Sequence, residues 1–99
     1  MEHRKIGFIG GGVMAEVIIK GIIEKKLITP ADIWLYDIDT LRTNYLKQQY
    51  KINIAIGNQE LVQEVEMVIL AVKPQVVAKV LQEISGEAWI GKQLTSIVA

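Results

Sequence analysis

The feature that most constrains this chain is an apolar run that breaks into three glycines and resumes as a helix-forming stretch. It reads Lys5-Ile6-Gly7-Phe8-Ile9-Gly10-Gly11-Gly12-Val13-Met14-Ala15. Gly10, Gly12 and Ala15 fit a G-x-G-x-x-A fingerprint for binding a dinucleotide. In that pattern the first glycine permits a tight turn and the second lets backbone approach a pyrophosphate. The small third residue lets the helix lie close against the strands. The phosphates then face a helix N-terminus, whose unpaired N–H groups and dipole stabilise an anion without a basic side chain. Glycines cluster in many turns, so the context matters. Here the run opens the chain and precedes residues 13–23, where Val13, Ile18, Ile19, Ile22 and Ile23 predict a mostly apolar helix covering a sheet. The alternative is a glycine-rich connection that binds nothing.

The rest of the chain alternates in the same way. Thr29, Pro30 and Asp32 have the spacing of a capped short turn, with Pro30 at its first position. Residues 33–36 form a continuous apolar run, as expected of a parallel strand covered on both faces, and the run ends at Asp37. Asp39 or Thr40 can cap a second helix to about Tyr50. A third strand is expected over residues 52–56, then a Gly57-Asn58 break and a short helix. Residues 67–72 are the clearest buried strand, ended by Lys73-Pro74. Val76, Val77, Val80, Leu81 and Ile84 follow at helical spacing, and residues 94–98 return as a last strand.

The resulting βαβαβαβαβ pattern with short connections predicts an α/β fold, a Rossmann-type doubly wound parallel sheet in a single domain. The sequence ends at Val98-Ala99, directly after an apolar strand. The expectation is therefore a chain truncated after the fifth strand, with its substrate half missing. In open α/β sheets ligands occupy the crevice at the carboxyl ends of the strands.

Composition narrows the function. Eleven basic and eleven acidic residues cancel, so no broad field recruits nucleic acid or an anionic membrane. No cysteine is present, which removes disulfides, thiolate metal sites and a cysteine nucleophile. His3 is the single histidine and precedes the first strand. It reads as a solvated terminal residue, and neither a histidine metal cluster nor a Ser-His-Asp triad can be assembled. The apolar run behind Lys5 is too short for a signal-peptide core or a membrane span, which makes a cytoplasmic protein the default. Trp34, Tyr36 and Trp89 read as sheet packing. The stretches 24–26 and 47–51 read as solvated helix ends.

The segment from Ile6 to Glu16, followed by Ile19-Lys20-Gly21-Ile22, resembles the opening of the pyrroline-5-carboxylate reductases. Leu27-Ile28-Thr29-Pro30-Ala31-Asp32-Ile33 and Leu70-Ala71-Val72-Lys73-Pro74-Gln75 resemble two further segments of that family. The Ala-Val-Lys-Pro element is the specific one, because the glycine turn is shared by many dehydrogenases. The resemblance covers essentially the whole chain. It implies hydride transfer from NADPH or NADH to the ring C=N of 1-pyrroline-5-carboxylate, giving L-proline. It implies that Ile9, Gly10, Gly11, Gly12, Val13 and Met14 line the pyrophosphate, with Ala15 behind them. Ala71, Val72, Lys73 and Pro74 are implied beside the ribose and nicotinamide, and Asn58 at the adenosine ribose. From the residues alone, Asn58 can equally cap the helix after Gly57, and Lys73 can be a solvated loop lysine beside a strand-ending proline.

Asp37 departs from family members that favour NADP, which often carry Ser, Asn or Arg hereabouts. It lies 27 positions after Gly10, where a carboxylate can accept both hydroxyls of an adenine ribose and select NAD. Against a 2′-phosphate at ~4 Å, repulsion per unit charge is about 1 kcal/mol in water and about 4 at a surface-like dielectric. Asp37 can instead cap the turn with Asp39. Arg42 offsets the repulsion only if the second helix brings it back toward the phosphate. NAD against NADP is left open, with Asp37 tilting toward NAD.

The chain is therefore expected to be a coenzyme-binding domain with no catalytic and no metal-ligating residue of its own. It should be inactive and monomeric alone, and belong to a homo-oligomeric enzyme acting on a small-molecule imine. A related hydroxyacid dehydrogenase, a deazaflavin-dependent reductase and a non-catalytic nucleotide-binding paralogue are the alternatives.

Overall fold

The structure is a computed structural model and describes residues 4–97. His3 and Val98 lie outside the described residues. The elements are β1 (Ile6–Ile9), α1 (Val13–Glu24), β2 (Ile33–Tyr36), α2 (Thr40–Tyr50), β3 (Asn53–Ile54), α3 (Asn58–Glu64), β4 (Met67–Leu70), α4 (Pro74–Gln82) and β5 (Gln93–Ser96). Two 3₁₀ turns, Pro30–Asp32 and Gly86–Trp89, precede β2 and β5. All strands are parallel, in the order β3-β2-β1-β4-β5. The chain winds outward from β1 to β3, then crosses to β4 on the other side of β1. The direction of winding thus reverses between β1 and β4, where Rossmann-type sheets leave a crevice.

Alternation along the strands divides the core into two layers. Phe8, Ile33, Leu35 and Ile69 face Ala15 and Ile19 of α1 and Leu46 of α2. Ile9, Val68 and Leu70 face Leu61 and Val62 of α3, Val80 of α4 and Ile84 just beyond its end. The fully buried Ala15 keeps α1 close to the sheet. A side chain at Gly7 would crowd Leu61 and Val65, so this glycine lets α3 approach the central strand. Trp34, Tyr36 and Trp89 pack partly buried against the second layer, as expected.

Several local expectations need correction. Val13 is 74% exposed, because it sits at the outer edge of the first turn of α1 and does not cover the sheet. Thr29 makes no side-chain cap. Its hydroxyl donates instead to Asp32 Oδ2 at 3.4 Å, while the Asp32 N–H bonds to the Thr29 carbonyl. The third strand shrinks to two residues on an edge, and the fourth ends at Leu70, before the turn. The fifth is Gln93–Ser96, exposed throughout. Tyr50 turns inward at the end of α2, while Lys47 and Lys51 are solvated.

Candidate functional site

The glycine turn is built at two levels. Gly10 has φ +108°, a left-handed conformation that L side chains resist. Its N–H donates to the Tyr36 carbonyl at 2.8 Å. A Cβ on Gly10 would lie 2.5 Å from the Ala71 carbonyl oxygen, so β1 can pass beneath the exit of β4 only as glycine. Gly12 behaves differently. It is the extended N-cap of α1, with no side-chain cap, and a Cβ there would meet nothing within 4 Å. The fold itself does not require glycine at Gly12. The first helical bond runs from Glu16 N–H to the Gly12 carbonyl, leaving the N–H groups of Val13, Met14 and Ala15 without intrahelical acceptors. Open space and free donors therefore coincide at this end of α1.

A cleft of about 190 Å³ opens beside this turn, at the carboxyl ends of β1 and β2. It brings together Ile9, Gly10, Asp37, Asn58 and Val72 from four separate segments. Gly11 and Ala15 are buried behind it, and Met14 is 45% exposed beyond it. Ala71 is buried, its N–H bonded to the Ile9 carbonyl. Lys73 and Pro74 stand outside the cleft as the N-cap and first residue of α4, both exposed.

Asp37 Oδ2 accepts the Gly11 N–H at 2.7 Å and Oδ1 accepts the Asp39 N–H at 2.9 Å. The carboxylate thus caps the turn with Asp39 and also pins the glycine loop. Each oxygen keeps a second acceptor site, and Asp37 lines the cleft. Asp39 is the cap of α2, accepting from Leu41 and Arg42 N–H groups.

Asn58 does not cap α3. It is the first helical residue after Gly57, and its Nδ2 donates to Glu83 Oε1 at 2.8 Å. It is only 6% exposed, and its Oδ1 has no hydrogen-bond partner. A buried amide oxygen left without a donor is costly, so a donor from a ligand in the cleft fits it.

Across the turn, α2 does bring Arg42 back. Its Nε donates to the Gly11 carbonyl, its Nη2 to the Gly12 carbonyl at 3.3 Å and to Glu16 Oε1 at 2.6 Å, and its guanidinium lies 5.3 Å from the Tyr45 ring centre. Glu16 Oε2 accepts the hydroxyls of Tyr50 at 2.6 Å and Tyr45 at 3.1 Å. The Tyr50 hydroxyl, with Arg42 and Tyr45 behind it, holds the Glu16 carboxyl below its ordinary value despite desolvation. Accepting its hydrogen bond, Glu16 pushes the Tyr50 phenol up to about 12 and raises that of Tyr45.

Val76, Lys79, Val80 and Glu83 also line the cleft. From their helical spacing, Val76 and Val80 are expected only to cover the core. The 76/79/80/83 spacing was the available signal, since it puts two ionisable groups on the same stripe as two valines. The Glu16–Arg42 cluster had no such signal.

Residues 5–99 match the model of the family described as NADP oxidoreductase, coenzyme F420-dependent. The chain belongs to that family. It is 39% identical over 84 residues to a pyrroline-5-carboxylate reductase of Synechocystis, covering 85% of this chain and 32% of that protein. With the Methanosarcina acetivorans reductase of the same name it shares 35% identity over 99 residues, 100% of this chain and 37% of the relative. The chain thus spans about a third of the length of these curated relatives. Among solved structures it resembles the Plasmodium falciparum pyrroline carboxylate reductase with NADP bound, at TM-score 0.82 and 28% identity, over 99% of this chain and 34% of that one. The resemblance inferred from the glycine turn and the Ala-Val-Lys-Pro element, and the Rossmann-type fold, are both borne out. Among the described residues no helix is long and apolar enough to cross a membrane, and no cluster of His, Cys, Asp or Glu could hold a metal.

Proposed function

We propose that this chain is the coenzyme-binding domain of a pyrroline-5-carboxylate reductase, with the dinucleotide seated at the glycine turn and in the adjoining cleft. The observation that carries this reading is the unpartnered Oδ1 of Asn58, buried in the wall that also holds Asp37. Both groups accept hydrogen bonds, and an adenosine ribose donates them through its hydroxyls. Residues 9–14 would hold the pyrophosphate, with Gly12 allowing contact and the N–H groups of Val13 and Met14 donating. Ala71, Val72, Lys73 and Pro74 would flank the ribose and nicotinamide. When bound, the coenzyme supplies hydride to the carbon of a cyclic imine. This chain's own residues bind and orient, and none moves a proton.

Asp37 favours NADH. Its carboxylate can take a ribose hydroxyl on either oxygen, whereas a 2′-phosphate would meet its charge. The imine-holding residues and the homo-oligomer interface would belong to the part of the curated relatives that this chain does not match, so these 99 residues should be monomeric and inactive alone. Such an enzyme would work in the cytoplasm. The family's description favours one second reading, in which the hydride is exchanged with a deazaflavin.

Calorimetric titration with NADH and, separately, NADPH tests the core of this. Saturable binding, tighter for NADH, is expected. A folded sample that binds neither would overturn the coenzyme reading. In an enzyme assay of the protein carrying this chain, turnover of 1-pyrroline-5-carboxylate and not of oxidised F420 would exclude the deazaflavin reading.

A further inference from the structure

Arg42 and Asp37 stand on opposite sides of a single residue. Gly11 gives its N–H to Asp37 and its carbonyl to Arg42. Asp37, which lines the cleft, is therefore separated from the guanidinium by the backbone of one residue. The guanidinium is already engaged, by two turn carbonyls and by Glu16 at 2.6 Å. Glu16 in turn is fixed by two tyrosine hydroxyls on its other oxygen. Side-chain exposures of 26% for Arg42 and 21% for Glu16 leave the pair partly shielded from solvent screening.

We infer that Glu16 is a selectivity residue acting through Arg42. It neutralises and holds the one cation that α2 brings back to the glycine turn, so that a coenzyme bearing a 2′-phosphate gains little from it. This rests on the coenzyme reading above and extends it from Asp37 to a second carboxylate, on a different helix, that itself touches no coenzyme. Asp37 repels the 2′-phosphate directly, and Glu16 withholds its counter-charge. The two tyrosines keep Glu16 aimed at Arg42 and away from solvent.

The test is a double-mutant cycle read as the ratio of NADH to NADPH dissociation constants, using Glu16→Gln, Arg42→Met and the combined variant. Glu16→Gln keeps the side-chain length and its capacity to accept from both tyrosines, but frees the guanidinium charge. It should shift the ratio toward NADPH by about two- to fivefold, the scale of one partly exposed ion pair. In the Arg42→Met background the same change should leave the ratio unmoved. Glu16→Ala, favoured in a helix, should act in the same direction and serves if the glutamine variant does not fold. An unchanged ratio, or an equal shift with and without Arg42, would overturn the inference and leave Glu16 as a tie between α1 and α2. Failure of the unaltered chain to bind either coenzyme would remove the coenzyme reading itself, and this inference with it.

Discussion

The two sides of the glycine turn treat their polar groups in opposite ways. On the α1–α2 side, Glu16, Arg42, Tyr45 and Tyr50 satisfy one another and the turn carbonyls. On the α3–α4 side, Asn58 is left with a buried unpaired oxygen, and Asp37 with spare acceptor sites beside an open cleft. Completed networks rigidify, and incomplete ones mark where something else binds. One side of the turn is thus a brace and the other the proposed receptor. The two glycines differ as well: Gly10, which lines the cleft, is required by the fold, whereas Gly12, whose carbonyl Arg42 holds, is not.

That division is broken most forcefully at Gly10. Gly10→Ala puts a Cβ 2.5 Å from the Ala71 carbonyl at φ +108°, combining a strained backbone with a clash against backbone that cannot rotate away. Destabilisation of about 3 kcal/mol or more is expected, read as the midpoint of urea or thermal unfolding. A loss under about 1 kcal/mol would mean that β1 and β4 are less tightly joined than the structure has them.

Gly12→Val should separate folding from binding. With no neighbour to meet, the new side chain should cost only about 1 kcal/mol, the preference for glycine over valine at an N-cap, well below the Gly10 effect. It would occupy the space through which a pyrophosphate approaches, and coenzyme affinity should fall by more than about tenfold. Comparable losses in melting temperature and affinity would erase the contrast with Gly10.

Asp37→Ser sharpens the comparison at the point where the brace and the receptor share a residue. The change removes the charge but keeps an acceptor for the Gly11 N–H. NADPH should gain on NADH by about tenfold, at a cost of about 1 kcal/mol from the shortened turn contacts. Equal effects on both coenzymes would remove Asp37 from the ribose and leave it as a turn cap.

How far these regions could be read beforehand follows from how local their causes are. Continuous apolar runs announced β1, β2 and β4, and Asp39 announced α2 by the cap it makes. The third strand came out shorter than expected, as two residues paired with β2 alone. There Asn53 Nδ2 donates to the Ala31 and Ile33 carbonyls at 2.7 and 3.2 Å, a side-chain tie that no alternation pattern encodes. Asn58 was legible as a candidate but not in its contacts, since Glu83, its partner, caps the end of another helix 25 residues away. Glu16 and Arg42, 26 residues apart, meet only because α1 and α2 pack side by side. No spacing rule within either helix could have joined them.

The smallest effect is the most direct reading of the brace. Tyr50 has a phenol raised to about 12 from an ordinary 10, because its hydroxyl donates to Glu16. A folded value above the unfolded one means that the neutral phenol favours the fold. This contribution is complete below about pH 10 and is lost as pH rises from there through about 12. Glu16 runs the other way. Its folded value is lowered, so its contribution is present above pH 4.5 and disappears as acid drives the carboxyl through its folded value. Ultraviolet titration of the phenolates should find Tyr50 ionising late, and Glu16→Gln should bring it back toward 10, because a neutral amide accepts the hydroxyl more weakly and no longer repels the phenolate. If Tyr50 ionises at the same pH in both proteins, its hydroxyl is not held by Glu16, and the α1–α2 side of the turn is as open as the cleft opposite.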